Sequence, residues 1–128
     1  MRQKALAEEA RVQAAKLAKV ADAVRGALKK AAREQSTSSW ATLRRRLGSA
    51  LPRLSADEQI EVLYQVDRNT SPDEPLLSTL LPVNDPGIAP AFRKAAARLG
   101  VDLPDDPGDL RDALDADVQR LHDLWRHR

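Results

Sequence analysis

Apolar residues recur along residues 2–34 at intervals of three and four, which is the spacing of one face of an α-helix. The stripe fits about four heptads, has small residues at many positions and is broken once by Gln13. Alanine favours helix formation but buries little apolar area. We therefore predict one long amphipathic helix that packing holds only weakly. The stripe consists of Leu6, Ala7, Ala10, Ala14, Leu17, Val20, Ala21, Val24, Ala27, Leu28 and Ala31.

A polar segment, residues 35–39, follows this helix and is typical of a hinge. Its serines can also accept hydrogen bonds from the free N–H groups at the start of the next helix. Trp40, Leu43 and Leu47 then share one helical face, and Gly48 ends the element. We predict a short helix here.

The sequence predicts four further helices, the last of which runs toward the end of the given sequence. Ser55 and Glu58 form the capping-box pattern at the start of one helix. Residues 76–81 are nearly all apolar and predict a short buried helix, and Pro90 can open the next one. The last helix begins near Pro107 and has an apolar stripe formed by Leu110, Leu114, Val118, Leu121 and Trp125.

These patterns predict an all-α fold: a long N-terminal basic amphipathic helix followed by a compact bundle of about five short helices. The composition agrees, because aromatic residues make up only 3% of the 128 residues and alanine and leucine dominate the apolar set. We expect two parts, residues 1–37 as a basic helical arm and hinge, and residues 38–128 as a helical domain. The arm can also be a linker helix if the chain is part of a longer protein.

Charge is distributed unevenly between these two parts. Residues 1–46 contain 12 Lys and Arg against 4 Asp and Glu, a net charge of +8. Residues 47–128 contain 9 basic and 15 acidic residues, a net charge of −6. Such an imbalance bears on the choice of partners rather than on the fold.

The basic part predicts a non-enzymatic accessory module that binds nucleic acid, mostly through phosphate contacts and counterion release. No aromatic residue interleaves the basic face of the long helix, so base stacking is not expected. A helix also needs polar residues on its outer face, and the acidic part can itself be the partner of the basic part. The predicted contact residues are Lys16, Lys19, Arg25, Lys29, Lys30, Arg33, Arg44, Arg45 and Arg46.

The alternative is a protein-interaction or oligomerisation module built on the same heptad-like helix. Its predicted interface residues are Leu17, Val20, Val24 and Leu28. Small residues in the stripe allow helices to approach closely, although stable coiled coils prefer Leu, Ile or Val. Against both hypotheses, the stripe can simply pack on the rest of the chain.

The sequence offers little for catalysis or metal binding. There is no cysteine, which excludes thiolate chemistry and disulfides. His122 and His127 are five residues apart and point in different directions on a helix. The aspartates of residues 102–109 lack the register of a calcium-binding loop. We expect that the protein is not an enzyme, binds no metal or other cofactor, and has no small-molecule substrate.

The apolar runs are too short to cross a membrane, and the basic helix lacks the dense apolar face of a membrane-surface helix. Charged residues also interrupt the N-terminal segment where a secretory signal would need an apolar core. We therefore expect a cytoplasmic protein.

Overall fold

The computed structural model describes the backbone of residues 2–128 and the side chains of residue 12 and residues 14–128. It confirms the all-α prediction, because residues 2–128 contain α-helices and 3-10 helices and no strand. The α-helices are α1 (Arg2–Arg33), α2 (Trp40–Leu47), α3 (Ala56–Asp67), α4 (Ala89–Arg98) and α5 (Pro107–Trp125). The 3-10 helices are Gly48–Ala50, Leu77–Leu80 and Pro86–Ile88.

Helix α1 ends where the chain adopts a left-handed turn. Gln35 has a φ of 59°, a conformation that usually requires glycine. The backbone N–H of Ser36 then donates to the carbonyl of Ala31 at 2.9 Å. The Gln35 amide donates to the carbonyls of Ala32 and His122, at 2.9 and 2.8 Å. The turn therefore reverses the chain and fixes the end of α1 against α5.

One hydrophobic core runs through the described part of the chain, and α1 contributes to it from Leu17 onward. The predicted boundary at residue 37 stays a prediction, but the core packs residues from both sides of it. Leu80 and Leu81 are among its fully buried members. The residues from α1 are Leu17, Val20, Ala21, Val24, Leu28, Ala31 and Ala32.

Among the described side chains of α1, those before Leu17 do not belong to this core. Ala14 is exposed, although it lies one heptad before Ala21, which is only 1% exposed. Val12 is the exposed large hydrophobic residue of the described side chains, at 68%. The side-chain amide of Gln65 donates to the backbone carbonyl of Ala14 at 3.3 Å, one turn before Leu17. The apolar positions before Val12 lie outside the described side chains.

The helix starts agree with their sequence signals. Ser55 and Glu58 form the predicted capping box, in which each side chain bonds the backbone N–H of the other residue. Ser39 caps α2, and the Asp106 carboxylate accepts the N–H of Asp109 at the start of α5. Local hydrogen bonding of short polar side chains therefore sets where these helices begin.

The predicted helix over residues 76–81 is a 3-10 helix of four residues. The buried carboxylate of Asp67 accepts the N–H groups of Leu77 and Ser78, at 2.7 and 3.0 Å, at its start. The hydroxyls of Thr70 and Ser78 donate to the same carboxylate. With this segment as a 3-10 helix, the long α1 is followed by four shorter α-helices rather than about five.

Candidate nucleic-acid interface

The predicted phosphate-contacting residues lie on two helices of the described structure, α1 and α2. Seven of the nine are exposed, and Arg25 and Lys29 are half-buried. The exposed residues are Lys16, Lys19, Lys30, Arg33, Arg44, Arg45 and Arg46. Residues 12–53 contain ten basic and two acidic residues, so the region around these helices has a net charge of +8.

Most of these cations have no acidic partner. Within the described residues, eight of the nine form no ion pair, and the exception is Arg25, whose Nη1 lies 2.6 Å from Asp22. The side chain of Arg45 donates to the hydroxyl of Thr42 at 3.3 Å, which leaves its charge uncompensated. A surface of this kind attracts anions and loses that attraction as salt is added.

The basic residues of α1 form two groups rather than one face. Arg25, Lys29 and Arg33 are spaced by four residues and form one row, which faces the ends of α3 and α5. Lys19 and Lys30 are turned by about 100° from the middle of that row, toward solvent. The two groups therefore have different surroundings.

Arg25 is a structural residue. Its Nε donates to the carbonyl of Val66 at 3.0 Å, and its Nη2 donates to the carbonyl of Gln65 at 2.6 Å. Both carbonyls belong to the last turn of α3, where no intrahelical donor reaches them. Arg25 therefore caps α3, and its guanidinium has little capacity left for a ligand.

An aromatic side chain lies beside the row after all. The Cζ atoms of Arg33 and Arg128 lie 5.4 and 5.0 Å from the centroid of the Trp125 ring. Arg33 also donates from Nε to the backbone carbonyl of Arg128 at 3.0 Å. Sequence reasoning missed this neighbour because Trp125 is 92 residues from Arg33 and only folding brings the two together.

A cleft of about 250 Å³ opens between this row and the segment that follows α3. Its apolar lining includes Trp125 and the nearly buried residues Val66, Leu77 and Leu121. Its polar and charged lining consists of Arg25, Lys29, Asn69, Thr70 and Glu74. The cleft combines apolar walls with cationic and neutral polar groups.

Glu74 is the acidic member of this lining, and its charge is compensated. Arg128 contacts its two carboxylate oxygens at 2.7 and 3.4 Å. The hydrogen bond from Arg128, with the charge of that guanidinium, lowers the pKa of Glu74 below its usual value. Lys29 therefore remains as a cation of the cleft with neither an ion pair nor a capping role in the described structure.

The arginines of α2 occupy its last turn. Arg44, Arg45 and Arg46 sit where cations interact favourably with the helix dipole, so their position also suits the stability of the helix. Leu43, which immediately precedes them, is 1% exposed and packs in the core. The arginines are thus presented outward on a helix that is fixed at its base.

The residues predicted as a helix interface are buried within the chain. Leu17 and Val20 are 4% and 6% exposed, and Val24 and Leu28 are fully buried. In this fold the stripe packs against α3, α5 and the 3-10 helix Leu77–Leu80. These four side chains therefore pack within the chain, as the sequence analysis considered against both the nucleic-acid and the interface hypothesis.

The histidines and aspartates considered as metal ligands in the sequence analysis form no metal site among the described side chains. His122 contacts the carbonyl of Ser36 through Nε2 at 2.9 Å, at the turn after α1. Among the described side chains, no three potential metal ligands come together. Nor does this part of the chain contain a helix with the length and apolar character needed to cross a membrane.

Comparisons with protein-family models, curated proteins and solved structures found no match.

Proposed function

We propose that this protein binds nucleic acid through phosphate contacts made by the exposed basic side chains of α1 and α2. One observation carries the proposal: eight of the nine predicted contact residues form no ion pair within the described structure, in a region of net charge +8. Uncompensated cations on ordered helices release counterions from a phosphate backbone, and this release drives binding.

The spacing of the cations supports this choice of ligand. Lys16 and Lys30 are both exposed and lie 14 residues apart on α1. The rise of an α-helix separates them by about 21 Å. One nucleic-acid strand presents a phosphate about every 3.4 Å, so a strand running along α1 offers about six phosphates over that distance.

A membrane surface fits the same cations less well. Amphipathic helices that bind membranes insert an apolar face beneath the headgroups. The apolar face of α1 is buried in the protein core from Leu17 to Ala32. Binding through charge alone favours a polyanion such as nucleic acid.

The test is the salt dependence of binding to a labelled duplex and a labelled single strand, measured by fluorescence anisotropy. We expect affinity to fall steeply with salt. For each tenfold rise in salt concentration, every phosphate contact should lower the logarithm of the binding constant by about 0.9 on the duplex and about 0.7 on the single strand. The variant Lys19→Gln/Lys30→Gln/Arg45→Gln should bind weakly and lower the slope by about two to three. No binding at low salt would refute the proposal.

A control variant separates the local surface from net charge. The variant Lys94→Gln/Arg68→Gln/Arg111→Gln also removes three positive charges, but from exposed positions outside α1 and α2. We expect this variant to bind nearly as well as the unmodified protein. An equal loss in both variants would mean that only the total charge matters.

Protein association through the N-terminal part of α1 is a second candidate, favoured by the exposure of Ala14 where the heptad-equivalent Ala21 is buried. In the sequence, the apolar stripe continues in front of Ala14 with Ala10, Ala7 and Leu6. Sedimentation velocity over a concentration series tests it. We expect Ala14→Glu to reduce any association, and a concentration-independent monomer would count against this candidate.

A further inference from the structure

The cleft beside Trp125 has the chemical character of a site for a flat ligand with an anionic group. Val66, Leu77 and Leu121 supply apolar walls, and the Trp125 indole supplies an aromatic surface. Ligand sites of proteins are typically apolar clefts with a few polar groups that fix orientation. The cleft, at about 250 Å³, lies below the range of about 300–1,000 Å³ for drug-sized ligands, so a smaller group fits it.

The polar groups of the cleft match the chemistry of a nucleotide. Asn69 is exposed at the cleft, and its amide can both donate to and accept from the edge of a base. Lys29, on the α1 side, has no ion pair, and Arg33 lies one turn further along the same row. These two cations can hold a phosphate while the base contacts the apolar side of the cleft.

The other charged groups of the cleft are already engaged. Arg25 is bonded to the last carbonyls of α3 and to Asp22. Glu74 is paired with Arg128. The charge without an ion pair at the cleft therefore comes from Lys29 and is positive. Arg33 beside it also forms no ion pair, although its Nε donates to the carbonyl of Arg128.

We infer that this cleft binds one unpaired nucleobase of the strand held by the basic surface, with the adjacent phosphate at Lys29 and Arg33. The inference rests on the proposed function and adds that the protein prefers single strands. A base inside a duplex is stacked and paired, so it can enter the cleft only after leaving the helix, at an energetic cost that a single strand does not incur.

The first measurement follows Trp125 directly. In a Trp40→Phe variant, Trp125 is the remaining tryptophan of the chain, so its fluorescence reports on the cleft. Adding a single-stranded oligothymidylate should change this emission with the same midpoint as binding seen by anisotropy. A duplex with the same number of phosphates should bind at least about fivefold more weakly and leave the emission nearly unchanged, since packing one base on an aromatic side chain is worth at least that much.

The second measurement needs no tryptophan variant, so it holds even if Trp40→Phe disturbs folding. Lys29→Gln and Lys19→Gln remove one charge each, the first at the cleft and the second away from it. We expect Lys19→Gln to weaken single-strand and duplex binding to a similar extent. Lys29→Gln and Asn69→Ala should instead reduce the single-strand preference by several-fold. Circular dichroism checks that each variant is folded.

The outcomes separate the inference from the proposed function. Equal binding of single strand and duplex with unchanged Trp125 emission would overturn the base site and leave the phosphate-binding function standing. A change of emission with inorganic phosphate alone equal to that with the oligonucleotide would also overturn it, because the cleft would then be an anion site. No binding of either nucleic acid would overturn both.

Discussion

Arg25 on α1 holds the end of α3 through Gln65, whose backbone carbonyl accepts its Nη2 at 2.6 Å although the two residues are 40 positions apart. Sequence reasoning grouped Arg25 with the ligand-binding cations, but its guanidinium also bonds the carbonyl of Val66. The residue therefore contributes mainly to the fold. This assignment separates it from Lys19, which is exposed on the same helix.

Replacing Arg25 with methionine should lower the free energy of unfolding by about 1–2 kcal/mol. The two hydrogen bonds involve a charged donor, each worth about 1.5–3 kcal/mol when buried, and partial exposure of the side chain lets water replace part of them. Urea denaturation measures the loss. Lys19→Met is the control, expected to change the stability by less than about 0.5 kcal/mol. Equal stability of the two variants would contradict the capping role.

Leu28 tests whether the stripe of α1 serves the core. Leu28→Ala should lower the free energy of unfolding by about 2–5 kcal/mol, because the side chain is fully buried and its removal leaves a cavity. Val12→Ala, at a position 68% exposed, should cost less than about 0.5 kcal/mol. Denaturation followed by circular dichroism compares them. A stable Leu28→Ala protein with altered oligomeric mass would instead support an interface role.

The carboxylate of Asp67 should be essential for the segment after α3. Asp67→Asn replaces one acceptor oxygen by a donor, so either the Ser78 or the Leu77 N–H is left without its partner in a buried position. We expect a loss of about 2–3 kcal/mol in the free energy of unfolding. Ser78→Ala removes a single hydroxyl donor and should cost less, and the exposed Asp112→Asn should cost little. Chemical denaturation ranks the three, and an unaffected Asp67→Asn protein would refute this role.

Stability should depend on acid pH through Glu74. Its pKa in the folded protein is lowered, first by the hydrogen bond from Arg128 and further by the charge of that residue. A carboxylate with a lowered pKa stabilises the fold above its unfolded pKa of 4.5, and this contribution is lost as the pH falls through the folded value. The difference in unfolding free energy between the unmodified protein and Glu74→Gln should be constant above about pH 5.5 and shrink below about pH 4.5.

Thermal denaturation from neutral to acid pH measures this difference. Asp73→Asn is the matched control, because Asp73 is adjacent and exposed and its side chain forms no ion pair in the described structure. Its difference from the unmodified protein should not follow the same profile. A Glu74→Gln difference independent of pH would exclude the ion pair with Arg128 as its source.

Helix positions were predictable where they depend on neighbours in sequence. The capping box of Ser55 and Glu58 and the cap at Asp106 are formed by residues three positions apart, so the sequence contains the whole signal. The 3-10 helix Leu77–Leu80 differed from its prediction because its geometry depends on Asp67, ten residues earlier and on another element. Leucine spacing carries no information about that carboxylate.

The candidate site was predictable only as a charge excess. Composition identifies a basic region, but it does not separate Arg25, which caps a helix, from Lys30, which is exposed. It also does not place Trp125 beside Arg33. Both distinctions depend on how α1 packs against α3 and α5, and tertiary contacts of this range have no local sequence signal.

Because α1 has core residues on one side and cations on the other, the arrangement of its charges exists only in the folded chain. Unfolding would disperse Lys19, Lys30 and Arg33 along a flexible polymer with no fixed spacing. Any polyanion that recognises the ordered array therefore favours the folded state by mass action, and stability rises with the logarithm of its concentration above the dissociation constant. The fraction of protein with bound ligand and the rise in melting temperature should therefore increase together.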